Sequence, residues 1–247
     1  MKKKILALLI SSMMALSLAA CGGGGSKADN KPDQTKEETK VQEEKKEEPK
    51  VQEEKKEEPK IAEEHYEIDL TAGNYTAGVD IPIGTYNITA TGGSGNVSSS
   101  NMYSGGLNAV MSNPIKEGIS VDSYNGVKLD KDVVLSLRGT VSIHMVSENA
   151  QVAGVTPRTV ADATPIDLTS GNYTAGTDFP AATYNIVVTS GSGNVSSDNM
   201  YNGGLNEVMG IQADPALYIP QFNNAVFEEG NALKVSGVSI QLVPVGE

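Results

Sequence analysis

From residue 68 to residue 209 the chain repeats itself after 98 residues without a gap, and this internal copy restricts the fold more than any other feature. IDLTAGNYTAGVDIPIGTYNI at Ile68 to Ile88 returns as IDLTSGNYTAGTDFPAATYNI at Ile166 to Ile186, and GSGNVSSSNMYSGGLNAVM at Gly93 to Met111 returns as GSGNVSSDNMYNGGLNEVM at Gly191 to Met209. Roughly three-quarters of the positions from Ile68 to Met111 are identical to their counterparts. The match then weakens, and one residue drops out past Gly139 and Gly237, so that Val141-Ser142-Ile143 meets Val238-Ser239-Ile240. A period this long exceeds the roughly 20 to 50 residues of solenoid units, so each copy is expected to be a domain.

Within a copy the alternation is strand-like. Tyr86, Ile88 and Ala90 fall on one face, with Asn87 and Thr89 on the other, and Val133, Leu135 and Leu137 oppose Val134, Ser136 and Arg138. Gly78-Val79-Asp80, Gly95-Asn96 and Asn125-Gly126 are expected turns. The stretch Asn101 to Met111 breaks the alternation and is expected to form a loop with one short helical turn. With no Trp, three Phe and 26 Gly, the composition favours short strands over helical bundles. The expected class is all-β, with two tandem small antiparallel β-sandwich domains of about six to eight short strands each. Their boundaries are 66–149 and 164–247, joined by a connector at 150–163.

Residues 21–65 carry no apolar periodicity. They hold a Gly run and then Lys and Glu in a perfect decapeptide repeat, VQEEKKEEPK at Val41 to Lys50 and again at Val51 to Lys60. Such a segment cannot bury enough apolar surface to offset its ordering entropy and is expected to be a disordered linker. Pro32, Pro49 and Pro59 interrupt any helix. About 45 residues reach on the order of 150 Å when stretched, and average about 35 to 40 Å as a flexible coil. The linker therefore reads as a stalk.

The first 20 residues have the three parts of a secretory signal: Lys2 to Lys4, an apolar stretch from Ile5, and small residues at its end. The stretch is short of the roughly 20 apolar residues of a comfortable membrane span. Leu18-Ala19-Ala20-Cys21 resembles the lipobox of bacterial lipoproteins, which implies acylation of Cys21, palmitate included, and a lipid anchor on the outer face of the cell membrane. The repeated phrases, G-x-D-I-P-x-G-T-Y, S-G-x-G-N and G-G-L-N, resemble a small all-β module of secreted lipoproteins from Gram-positive bacteria, Clostridia especially. That module implies no transferable chemistry. Cys21 is the only cysteine, so the exported part is stabilised by packing alone and thiolate metal sites are excluded. Loss of the signal leaves 16 Lys and Arg against 31 Asp and Glu, a balance of −15. A chain this acidic repels phosphate backbones, so nucleic acid is not an expected partner.

Residues on which a shared activity depended would appear in both copies. His144 corresponds to Gln241, which carries no proton near neutral pH, so a Ser-His-Asp or Cys-His site is not expected. Asp69/Asp167 and Asp80/Asp178 are in both copies and read as turn and strand-end carboxylates, with calcium ligation a minor alternative. Asp130-Lys131-Asp132 resembles half a calcium loop, but Glu228-Glu229-Gly230 does not repeat it. No cofactor, no metal and no enzymatic activity are expected. The Asn-x-Ser/Thr matches at Asn74, Asn87 and Asn96 read as chance in a Thr- and Asn-rich sheet.

The recognition candidates are Asn101, Tyr103 and Asn108, repeated as Asn199, Tyr201 and Asn206 on Gly-Gly loops. Amides and an aromatic face suit a glycan or peptide ligand; the competing reading has Met, Tyr and Leu plugging the end of the sandwich. The expected function is a membrane-anchored surface lipoprotein presenting two non-catalytic modules for binding or adhesion to a cell-wall or surface glycan or protein. The alternatives are a structural cell-wall spacer and, less favoured, a solute-capturing lipoprotein of a transporter.

Overall fold

The computed structural model describes residues 61–159, 164–211 and 216–246. The signal, Cys21 and nearly all of the linker lie outside the described residues. The described chain is almost entirely strand and turn, in agreement with the all-β expectation.

The first copy runs β1 (Glu64–Leu70), β2 (Gly73–Thr76), β3 (Gly84–Ser99), β4 (Asn108–Asn113), β5 (Ser123–Leu129), β6 (Val134–Gly139) and β7 (Ser142–Ala150). A 3-10 turn at Val152–Gly154 follows. The second copy runs β8 (Ile166–Leu168), β9 (Gly171–Thr174), β10 (Ala182–Ser197), β11 (Asn206–Gly210), β12 (Gln221–Phe227) and β13 (Ala232–Pro244).

The organising element of each copy is not short. β3 is 16 residues long and serves two sets of neighbours: its first half pairs β5 and β7, its second half β4 and β6. Its buried residues change phase between the halves, from Tyr86, Ile88 and Ala90 to Val97 and Ser99. A bulge against β7 between Ala90 and Gly92, followed by Gly93 at φ +66°, makes that change. Gly95-Asn96, expected as a turn, therefore lies within β3. Glycine is required at Gly95 because a Cβ there would strike the Arg138 carbonyl oxygen of β6. Asn125-Gly126 is likewise inside a strand, where Gly126 at φ +73° forms the β5 side of a bulge with β3. The expected helical turn in Asn101 to Met111 is absent; the chain makes hydrogen-bonded turns and enters β4.

The second copy keeps the register. Tyr86 faces Val127 and Tyr184 faces Ala225; Val97 faces Leu137 and Val195 faces Val235, each displaced by 98. The one-residue deletion has a structural consequence: β6 and β7 become the single strand β13, which pairs both β8 and β9. Every pairing between the named strands of one copy is antiparallel, and the parallel bridges within a copy are single pairs such as Ala77 with Ile81 and Ala175 with Phe179. Between copies Asn223 of β12 pairs in parallel with Gly73 of β2, so all thirteen strands join one hydrogen-bonded network.

Each copy gathers its own apolar core. One holds Ile81, Tyr86, Ile88, Leu129 and Leu137; the other holds Phe179, Tyr184, Ile186, Phe227 and Val235, and also takes in Ala72 from the first copy. In the second core Phe179 and Phe227 replace Ile81 and Leu129, and their rings meet edge to face at 5.4 Å. The repeated tyrosines close turns: Tyr86 and Tyr184 donate to the carbonyls of Pro82 and Pro180 at 2.7 and 2.8 Å.

Candidate functional site

The two Gly-Gly loops are built identically. After β3 the Ser99 amide donates to the Leu107 carbonyl (2.9 Å), and the Leu107 amide donates back to Ser99 Oγ (3.0 Å). The amides of Ser104 and Gly106 both donate to the Asn101 carbonyl, and Asn101 Nδ2 reaches the Lys128 carbonyl at 2.8 Å. A Cβ at Gly106 would collide with Ser99 Oγ and Asn101 Oδ1, so only glycine closes the loop this tightly. In the second copy Ser197, Leu205, Asn199, Gly204 and the Val226 carbonyl make the same bonds.

This construction separates the six sequence candidates. Asn101 and Asn199 hold the loops together, and their Oδ1 atoms are buried without a partner. Asn108 and Asn206 are exposed strand residues whose Oδ1 atoms accept from Asn96 and Asn194 at 3.0 and 3.1 Å. Leu107 and Leu205 plug the cores. Tyr103 and Tyr201 do not: they are 92% and 89% exposed at the loop tips, so tyrosine takes no part in the plug.

The second loop also docks on the first copy. Asn74 Nδ2 donates to the Gly203 carbonyl at 2.7 Å, and its Oδ1 accepts from Ser136 Oγ (2.8 Å) and Arg138 Nη2 (3.1 Å). Arg138 Nη2 also donates to the carbonyls of Gly204 (2.9 Å) and Met200 (3.2 Å), and its guanidinium lies over the Phe222 ring at 4.8 Å. Glu207 accepts from the Gly139 amide at 3.0 Å and faces Arg138 Nη1 at 3.8 Å. Burial pushes Glu207 above the usual carboxylate value, opposed by the Gly139 amide and by Arg138. Burial lowers Arg138 from its ordinary value, opposed by Glu207. The sequence reading missed these residues, although they leave a signal: Arg138 and Glu207 are charged where their counterparts Ser236 and Ala109 are not.

Beside this contact are two cavities, of about 310 Å³ and about 610 Å³, which share Asn96, Ser98, Ser136 and Tyr201 in their walls. The larger is walled by amides, hydroxyls, the Tyr201 ring and the apolar Met102, Val134 and Val226, and the smaller also by Arg138, Glu207 and Met200, a mixed lining with both hydrogen-bonding and apolar groups.

The carboxylates and histidines serve the sheet. His144 Nδ1 lies 2.9 Å from Asp69 Oδ1, and in the second copy Gln241 Nε2 donates to Asp167 Oδ1 at the same distance. The pair is one cross-strand hydrogen bond made by two different side chains. His65, assigned to the linker, sits in β1 beside Glu148 at 2.9 Å. Asp80 and Asp178 accept from the amides of Thr76 and Thr174 at 2.8 and 2.7 Å, as turn aspartates do. Asp80 is also held by Arg158 through Nε and Nη2. Asp130 pairs with Lys128 at 2.8 Å. Among the described residues no three His, Cys, Asp or Glu side chains gather where they could hold a metal ion.

No protein-family model and no curated protein matches the chain. Among solved structures it is similar to a cupin 2 conserved barrel domain protein from Leptotrichia buccalis, with 12% identity over 74% of this chain and 79% of that one. The TM-score is 0.19, an overlap too small to place the two chains in one fold.

Proposed function

We propose that the protein is a lipoprotein anchored through Cys21 to the outer face of a bacterial cell membrane, and that its head, two tandem β-sandwich modules on a charged stalk, binds a cell-wall or surface glycan or protein without catalysis. The observation that carries the binding reading is the exposure of Tyr103 and Tyr201 at the tips of two identically built loops. An aromatic ring held out in water by a rigid loop is unusual for packing and suited to recognition. The cavities beside Tyr201 add the hydrogen-bonding groups of Asn96, Ser98 and Ser136 next to one of the rings. Binding of a few kcal/mol per loop is expected, because ordering and desolvation offset much of the contact energy. Two loops on one body would raise the affinity for a repetitive surface roughly a hundredfold.

The test is co-sedimentation of the chain from residue 22 onward with isolated cell walls, with Tyr103→Ala, Tyr201→Ala and the double variant alongside. A stepwise loss of binding supports the reading. Undiminished binding by the double variant removes the loops from the function.

A further inference from the structure

The contact between the copies is heterologous: the second copy contributes one surface and the first copy a different one. The second copy's surface is the loop at Gly203-Gly204 with β12; the first copy's is β2 with its Thr71-Ala72 lead. Each copy carries both surfaces by duplication. One of each is consumed within the chain, and one of each is left over.

The leftover surfaces show this in their burial. Every residue of β12 is buried or half-buried, with Phe222 0% exposed, whereas its counterpart β5 is open over its first four residues, with Tyr124, in the place of Phe222, 38% exposed. β2 is buried over Gly73, Asn74 and Tyr75, while its counterpart β9 is not buried at any residue. The side chains that make the internal contact persist on the open surfaces. Asn223 donates to Ala72 O, Thr71 Oγ1 and Tyr75 OH; its counterpart is Asn125, and the matching acceptors are Ser170, Thr169 and Tyr173. Asn74 donates to the carbonyls of Gly203 and Gly204, which correspond to Asn172, Gly105 and Gly106.

We propose that a second copy of this chain docks head to tail, its β5 and Gly105-Gly106 loop seating on the β9 face of the first. The charges are compatible with this. The internal contact sets a half-buried Arg138 against the buried Glu207; at the open pair the counterparts are Ser236 and Ala109, so docking strands neither a guanidinium nor a carboxylate. Lys234, in the place of Ser136, is exposed and keeps its ammonium in water on a flexible stem. The contact between molecules lacks the internal tether, so it is weak in free solution and strengthened where copies are concentrated on one surface. Tyr201 stays exposed although its loop is docked, so Tyr103 stays exposed too, and the proposal does not rest on the adhesion reading.

Sedimentation velocity of the chain from residue 22 onward, over about 10 µM to 1 mM, tests this. The wild-type weight-average mass should climb past that of a dimer. Asn125→Arg blocks one surface and Asn172→Arg the other; both positions are exposed, and each variant alone should stay monomeric. Tyr124→Arg and Ser170→Arg provide a second pair should either of the first fail to fold. Because each variant keeps the surface the other has lost, their equimolar mixture should stop at a dimer. A wild type monomeric throughout, assembly that survives either substitution, or a mixture that stays monomeric or grows beyond a dimer overturns the proposal.

Discussion

Replacing Arg138 with Ala is expected to destabilise the contact between the copies by up to about 3 to 5 kcal/mol at pH 7, the range for breaking a buried ion pair from one side, of which Glu207 is the buried member and Arg138 is half-buried. The magnitude follows from what is left behind. Glu207 is 6% exposed and would keep only the Gly139 amide as a partner. Its least costly response is to bind a proton. From the ordinary carboxylate value of 4.5, this costs about 1.36 kcal/mol for each pH unit up to 7, or about 3.4 kcal/mol. The lost hydrogen bonds from the single Nη2 group to Asn74, Met200 and Gly204 add about 1 to 2 kcal/mol together, since water replaces part of them. The sign of the pH dependence is fixed by the direction of the shift. Glu207 is raised in the folded state, so its favourable contribution is complete below 4.5 and is lost as pH rises through the folded value. The deficit of Arg138→Ala should therefore shrink by up to about 1.4 kcal/mol per unit as pH falls from 7 towards 4.5. A double variant, Arg138→Met with Glu207→Gln, removes both charges and should recover most of the loss. Urea unfolding followed by circular dichroism at pH 7 and pH 5 reads all three quantities. A loss under about 1 kcal/mol at pH 7, or a deficit independent of pH, would refute the argument.

Gly106→Ala and Gly204→Ala each drive a methyl group into a serine hydroxyl and an asparagine amide, and should cost about 2 kcal/mol or more in urea unfolding. Only Gly204→Ala should also weaken the contact between the copies, read as a separate early transition. His144→Gln copies the side chain that already bonds Asp167 in the second repeat, so stability should change by less than about 0.5 kcal/mol; a loss several times larger would point to a role beyond the cross-strand bond. Cys21→Ala should shift the protein from the detergent phase to the medium or stall its maturation, and unchanged partitioning would count against the anchor.

The strands were legible where side chains alternate about a single sheet face. Tyr86, Ile88 and Ala90 were placed on one face by period alone, and all three are buried. The reading failed at glycines inside strands. Gly95-Asn96 and Asn125-Gly126 have turn chemistry, yet the structure uses such residues to bend a long strand and to form a bulge. Asn224, at φ +53°, stands where Gly126 stands at φ +73°, which shows that the position demands left-handed backbone rather than a turn. The loops were found because they are the same in both copies. The contact between the copies was missed for the complementary reason: Arg138, Glu207 and Ala72 differ from Ser236, Ala109 and Ser170, and comparing copies for sameness passes over the residues that make them unlike.

The duplication also provides an internal control on what docking does to a loop. The Gly203-Gly204 loop is packed against another sheet and the Gly105-Gly106 loop is open, yet their internal hydrogen bonds agree closely: 2.8 against 2.9 Å from serine amide to leucine carbonyl, and 3.0 Å in both from leucine amide to serine hydroxyl. Docking has not reshaped the loop, so little ordering entropy opposes it, and modest contacts can hold two copies together. Where the backbone is already in place, side chains decide which surfaces meet. Arg138 and Glu207 contribute little net stability to their own contact after desolvation, but either one against an uncharged counterpart leaves a buried charge. Their effect is therefore on choice of partner: the internal contact excludes mismatched surfaces, and the uncharged Ala109 and Ser236 are matched only to each other.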